Sequence, residues 1–500
     1  MNIPGWMLTT LEILTGLFIL SVGVLVLVLL VLFVIDKFQT ESTVKRNYPV
    51  IGRFRFLFEH LGEFFRQYFF AMDREEMPFN RAQRTWAYRA SKDINNTAAF
   101  GSTKDLRPEG TVIFANCPFP PLEDEKNEPT PIKFGPHCEK PYQTTSIFNI
   151  SGMSYGALSR PAVRALSYGA AKAGIWLNTG EGGLAPAHLE GGCDVVYQIG
   201  TAKYGVRDDK GLLCDDKLKA MAAHDSVRMF ELKLAQGAKP GKGGILPAAK
   251  VNAEIAEIRG IPEGEPSISP NRHPDIGNCA QLLDVIDRIR RVTGKPVGIK
   301  VVLSSAAWLD ELGQEIHQRG VESAPDFITV DSGDGGTGAA PQPLMDEMGL
   351  PLREALPMLV DKLHEYSLTR RVRVVASGKR ITPAEVAWAL CAGADAVTNA
   401  RGFMFALGCI QALQCNKNTC PTGITTHDKS LQRGLVPKEK SRRVANYAKN
   451  IVKEVTIIAH SCGVSEPRRL ARQHARVVTS NGLSVALNEL HPEIPVRVEF

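Results

Sequence analysis

Eight short apolar runs, rich in β-branched residues and seven of them running into glycine, constrain this chain more than any other feature. They are IFNISG (147–152), IWLNTG (175–180), VVYQIG (195–200), MFELKLAQG (229–237), VGIKVVL (297–303), FITVDSG (327–333), VRVVASG (372–378) and AVTNARG (396–402). Helical text separates them. Parallel strands buried on both faces read as continuous apolar runs, and each parallel pair needs a long crossover, usually a helix. Eight such units in succession predict an α/β chain folded as a (β/α)8 TIM barrel over 146–430, its active face at the strand C-termini. A doubly wound open sheet is the alternative, but the Gly-rich fingerprint of its first unit is missing. The interval between the fourth and fifth runs is long, so residues 237–273 are expected as an excursion over the active face.

Ile13 to Ile35 contains no charged residue. At about 1.5 Å per residue it reaches across a hydrocarbon core of about 30 Å. No Lys or Arg precedes it, whereas Lys37, Lys45, Arg46, Arg53 and Arg55 follow. A single-pass membrane helix over 13–35 is expected, with the body on the cytoplasmic side. A cleaved signal peptide is the rival, but the basic start and small-residue cleavage site are absent. Residues 40–145 read as a helical and extended N-terminal segment. Its RFRFLFEHLGEFFRQYFFAM places Phe and Leu at helical spacing, a face for core packing or for the membrane surface, with core packing preferred. The proline-rich 108–142 is expected as an arm wrapped on the surface. Residues 431–500 are expected as a C-terminal helical extension, with one helix over 441–462. The net charge of +6 is spread without a Lys/Arg run, so nucleic acid is not an expected partner.

Cys409, Cys415 and Cys420 fall within one short segment that closes with Pro421. Three thiolates so placed suit an iron–sulfur cluster. Zinc is the next reading, but it favours four ligands and Cys-x-x-Cys pairs. Three buried apolar cysteines are the plainest reading. The last two strand ends, Ala376-Ser377-Gly378-Lys379 and Ala400-Arg401-Gly402, stand where such barrels bind phosphate. SGDGGTG (332–338) can lie flat against a planar cofactor. Lys300 interrupts an apolar strand, either facing a flavin ring or paired with an acid in the barrel interior. Glu181, Gln198, Lys203, Gln236 and Lys239 stand at consecutive strand ends.

ISGMSYGALS (150–159), NTGEGG (178–183), ELKLAQGAKPG (231–241), SGDGGTGA (332–339) and LGCIQALQCNKNTCPTG (407–423) together resemble the synthase domain of glutamate synthase, over roughly residues 145 to 430. The resemblance is strongest to the short, FMN-binding members with an N-terminal membrane span and no glutaminase half. It implies an oxidoreductase acting on CH–NH2 donors that binds FMN and a [3Fe–4S] cluster held by Cys409, Cys415 and Cys420. The implied reaction converts 2-oxoglutarate, through 2-iminoglutarate, to L-glutamate. On the family's motifs, Ser151, Met153, Glu181, Gln198, Lys300, Asp334, Gly335 and Gly336 fall on the FMN side, Gln236 and Lys239 on the substrate side; Gly378, Arg401 and Gly402, at the last two strand ends, are expected to cradle the FMN phosphate. Glu181 and Lys300 are the implied catalytic residues.

The sequence also departs from the family. The glutaminase domain, the C-terminal β-helical domain and a dinucleotide fingerprint for NADPH are expected to be absent. A separate source of ammonia or amine, and a separate electron donor such as ferredoxin or a reductase, are therefore expected partners. Gly243-Gly244-Ile245 stands where the family has Gly-Gly-Gln, and Ala376-Ser377-Gly378 where it has Asp-Gly-Gly. These departures keep open an electron-relay membrane protein that retains FMN and Fe–S without 2-oxo-acid turnover. A 2-hydroxy-acid oxidase is a third reading, but no histidine lies on a strand-end motif.

Overall fold

The computed structural model of the chain describes residues 4–125 and 127–496. It separates into two compact units, Met1–Ala82 and Gln83–Phe500. The second unit is built on the expected barrel. Its strands are β1 Phe148–Ile150, β2 Leu177–Asn178, β3 Val195–Ile199, β4 Val227–Lys233, β5 Val297–Val301, β6 Phe327–Asp331, β7 Arg373–Ser377 and β8 Ala396–Asn399. All are parallel, follow chain order round the ring, and close where β8 pairs with β1. The runs end in glycine because the chain turns away just past each strand.

Local sequence explains the helices between them. Helix Arg160–Ala173 starts at Ser159, whose hydroxyl accepts from the Ala162 N–H, and stops at Gly174 with φ +67°. Helix Pro383–Cys391 is capped by Glu385, whose Oε2 accepts from the N–H groups of Ile381 and Thr382 at 2.8 and 2.9 Å. Both are the start and stop signals a short helix needs. The ring of helices runs past residue 430. Helix Pro437–Ser461 packs between those two helices and buries Val444, Ala448, Ile451 and Val455. Gly169 allows that approach, since a Cβ there would run into the Val444 side chain.

The expectation of a surface arm over 108–142 is corrected. Ile132–Phe134 and Tyr142–Thr144 form an antiparallel hairpin that closes the N-terminal mouth of the barrel. Phe134 is wholly buried, edge-on to Trp176 and Phe327 with ring centroids 5.8 and 5.6 Å away. Val112–Phe114 pairs with Ala475–Val478, joining the arm to the C-terminal sheet.

In the first unit, helix Gly5–Phe38 runs beyond the expected 13–35 at both ends. Among the described residues it is the one helix long and apolar enough to cross a membrane. The aromatic helix over Ile51–Phe65 forms, but its ring face does not pack into a core. Gly52 is its one buried residue, which corrects the preferred core-packing reading.

Candidate active site

Residues 237–273 fold over the C-terminal mouth of the barrel, as the long interval predicted. Ile245–Leu246 pairs with Ser267–Ile268, and helix Ala253–Arg259 lies between them. Gly243 lets the hairpin close, because a Cβ there would strike the Ser269 carbonyl. Beneath lies a cavity walled by Met153, Glu181, Gln198, Lys233, Gln236 and Lys239 from the strand ends, and by Ile245, Lys250, Arg259 and Ser269 from the excursion. It continues into a smaller cavity walled by Ser151, Lys300, Asp331, Ser377, Gly378 and Lys379. Gly152, Gln198, Lys233, Gln236, Gly336 and Arg401 line both. Gly152 keeps this passage open, since a Cβ would sit 2.8 Å from the Gln198 amide nitrogen. Among the described residues, no histidine lines either cavity.

Charge in the larger cavity centres on Glu181. Lys233 Nζ lies 2.9 Å from its Oε2 and also donates to the Gln236 side-chain oxygen. Burial pushes the Glu181 carboxyl up, but Lys233 and Lys239 outweigh it and hold it below its ordinary value. Gly200 and Gly244 crowd this carboxylate. A Cβ on Gly200 would sit 2.6 Å from the Glu181 Cβ, and one on Gly244 would strike Oε1. Lys239 is 7% exposed, and burial lowers its ammonium; nearby Glu181 opposes that shift, while Lys233 and Lys242 add to it. A buried cation held low in this way gains most from an anion arriving beside it.

Lys233 escaped the sequence reading, although the rule that singled out Lys300 applies to it. Glu231 and Lys233 are two apart on β4 and so share one face of the strand. Glu231 is a buried hub whose oxygens accept from Asn178 at 2.8 Å, Gln198 at 2.6 Å and Thr329 at 2.6 Å. That network orients the Gln198 amide. Lys203, another of the expected strand-end residues, is fully buried against Asp275 at 2.7 Å and lines neither cavity.

Lys300 shows the acid pairing expected of it, with Asp331 at 3.2 Å, and also stands in the wall of the smaller cavity. Burial pushes its ammonium down, but Asp331 and Glu231 outweigh that and hold it above its ordinary value. Ser151 Oγ is 3.5 Å from Ser377 Oγ across the same wall. Gly378, at φ +102°, packs on Ser332. Lys379 turns back to Asp334 at 3.0 Å.

Three of the expected cofactor residues stand outside both cavities. Asp334 is held by Ser332 and Lys379. Gly335 packs against Gly237. Gly402 donates its N–H to Asn399 Oδ1 at 2.6 Å, and its missing Cβ makes room for the Tyr447 hydroxyl. Its neighbour Arg401 lines both cavities, with Nη1 3.7 Å from Cys415 Sγ.

Cys415 lines the larger cavity; Cys409 and Cys420 lie on the same loop. Burial raises the Cys409 thiol, and so do Cys415 and Cys420 beside it. Burial likewise raises Cys420, but hydrogen bonds from Thr422 and Thr425 outweigh it and hold that thiol below its ordinary value. Lys250, 2% exposed, donates to the carbonyls of Cys415 at 2.7 Å and Thr425 at 2.5 Å, clamping the loop to the excursion. Among the described residues, no three His, Cys, Asp or Glu side chains are gathered to hold a single metal ion.

Residues 116–465 match the family described as a conserved region in glutamate synthase. The chain is 38% identical to the glutamate synthase large subunit-like protein YerD of Bacillus subtilis, over 92% of this chain and 94% of that protein. It is 30% identical to a glutamate synthase large subunit-like protein of Rhizobium meliloti, over 79% and 91%. It is 33% identical to the archaeal glutamate synthase [NADPH] of Methanocaldococcus jannaschii, over 69% of this chain and 63% of that protein. The chain belongs to the glutamate synthase family.

Proposed function

We propose that this protein is a membrane-anchored FMN and iron–sulfur oxidoreductase of the glutamate synthase type. It would form L-glutamate from 2-oxoglutarate, through 2-iminoglutarate, with ammonia or an amine supplied from elsewhere. Family membership makes it an oxidoreductase acting on CH–NH2 groups. The observation that carries the rest is the pair of joined cavities. One is lined by cations and an ionised glutamate, the other by glycine, lysine and Arg401, and Cys415 edges the first.

The residues present suit both groups. Gly152 and Gly378 leave room where a side chain would intrude, and Lys300, Lys379 and Arg401 offer cations to a ring carbonyl edge and a phosphate. Three cysteines on one loop suit a multi-iron cluster, in which each thiolate takes a different iron and the sulfurs need not converge on one point. Bound FMN would supply a hydride to the imine carbon, and the cluster would pass electrons from a separate donor such as ferredoxin or a reductase. Lys239 and Arg259 would hold the substrate carboxylates, and Gln236 would orient the imine nitrogen. Glu181, kept ionised by Lys233 and Lys239, would stabilise the positive charge of a protonated imine and hold its proton in place.

The test uses the purified full-length protein. Its chemically reduced flavin spectrum should return to the oxidised form on addition of 2-oxoglutarate with ammonium, and glutamate should appear in equal amount. A flavin that stays reduced under both additions would favour the electron-relay reading, which the apolar Ile245 in the cavity wall supports.

A further inference from the structure

The face that the first unit leaves uncovered lies on helix Ile51–Phe65 and the turn Arg66–Phe70 that continues it. At 100° per residue, Phe54, Leu57, Phe58, Phe64, Phe65 and Phe69 fall within one arc. They are 46–75% exposed. Arg55, Glu59, Glu63 and Arg66 occupy the opposite side. Exposure of so much contiguous aromatic surface marks a contact with a partner or a membrane.

The fold also fixes where this face stands. Asp36 is the first charge after the apolar run and is fully buried. Its carboxylate accepts from Arg53 Nε at 2.8 Å, Arg53 Nη2 at 2.7 Å and the Val50 N–H at 3.0 Å. Val50 takes φ +65°, a conformation a β-branched residue adopts only when its surroundings impose it. Gly52 sits so close to the previous turn that a Cβ would lie 2.9 Å from the Val44 carbonyl oxygen. These contacts form a built elbow, which pins the start of the aromatic helix at the level where the apolar helix ends.

We infer that helix Ile51–Phe65 is an interfacial helix, lying in the headgroup region of the membrane that helix Gly5–Phe38 crosses, with its phenylalanine face toward the acyl chains. The inference rests on reading Gly5–Phe38 as a span. Three observations favour lipid over a protein partner. The elbow sets the helix at the depth of the headgroups. The exposed side chains are the aromatic and leucine residues that such helices insert. Residues 36–70 carry six cations and four acids, an excess suited to anionic phospholipid.

The full-length protein, reconstituted into vesicles of phosphatidylcholine and phosphatidylglycerol, tests this. Photoactivatable lipids would carry the reactive group either mid-chain or at the glycerol, and labelled peptides would be identified by mass spectrometry. The mid-chain probe should label 13–35, and the glycerol-level probe should label 54–69. Labelled 13–35 with unlabelled 54–69 would overturn the inference and leave the span standing. If neither is labelled, the span reading fails and the inference with it. In a Phe58→Glu, Phe65→Glu double variant, labelling of 54–69 should fall at least fivefold while 13–35 is unchanged. Equal labelling of 54–69 in that variant would show mere proximity and would also overturn the inference.

Discussion

Lys239→Ala should weaken binding of 2-oxoglutarate far more than binding of flavin. The ammonium is buried in the wall of the larger cavity, away from the smaller one that Lys300 and Gly378 line. A hydrogen bond to a charged group contributes about 1.5–3 kcal/mol, roughly ten- to 150-fold in dissociation constant. Lys233 lies close enough to repel Lys239, so the substitution also relieves a like-charge contact in the free protein. For the same reason global stability should change little. The sign of the pH dependence follows from the lowered ammonium. Affinity for the dianion should be full below the pKa of Lys239, fall as pH rises through it, and be flat over that window in the variant. The assay is titration of the oxidised flavin spectrum with 2-oxoglutarate in both proteins across pH. Dissociation constants within twofold of each other, or the same pH dependence in both, would remove Lys239 from the site.

Cys415→Ser should abolish the cluster's visible absorbance and electron paramagnetic resonance signal while FMN stays bound, since a three-cysteine site has no spare ligand; unchanged iron content would refute the triad. Phe134→Ala should destabilise the body by about 3–5 kcal/mol in urea unfolding, because the ring fills the bottom of the barrel among Tyr142, Trp176 and Phe327. Gly402→Ala should cost about 1–3 kcal/mol of stability by driving a methyl into the Tyr447 hydroxyl. Flavin affinity should hold in the protein that still folds, which a phosphate-binding role for Gly402 would not allow.

The barrel was legible because its signal is local and repeated. Each strand is a continuous apolar run, each run stops where the chain turns, and eight repetitions leave few other topologies. The hairpin over Ile132–Thr144 was not legible for the converse reason. It spends three residues per strand, carries prolines before it and in its connecting loop, and owes its burial to Trp176, Met229 and Phe327, residues distant in sequence. The aromatic helix shows a different limit. Its periodicity reveals an apolar face and says nothing of what covers that face. The decisive observation is the Asp36–Arg53 pair, which no pattern of spacing announces.

The same distinction runs through the active face. Strand-end residues such as Glu181, Gln198 and Gln236 could be read because an unusual residue beside glycine is a local anomaly. The packing of Gly402 against Tyr447 and of Asp334 against Lys379 could not, because it depends on residues distant in sequence. Glu231 and Lys233 lie between these cases. Each is a charge inside an apolar strand, so each carries a desolvation cost that something must offset. For Glu231 the offset is three hydrogen bonds from Asn178, Gln198 and Thr329, all inside the protein. For Lys233 it is Glu181, whose carboxylate also faces Lys239 across the cavity. Two ammonium groups therefore share one carboxylate, leaving positive charge in excess at the place where an anionic substrate would sit. On the proposed function, an incoming dicarboxylate would offset that excess and complete the site.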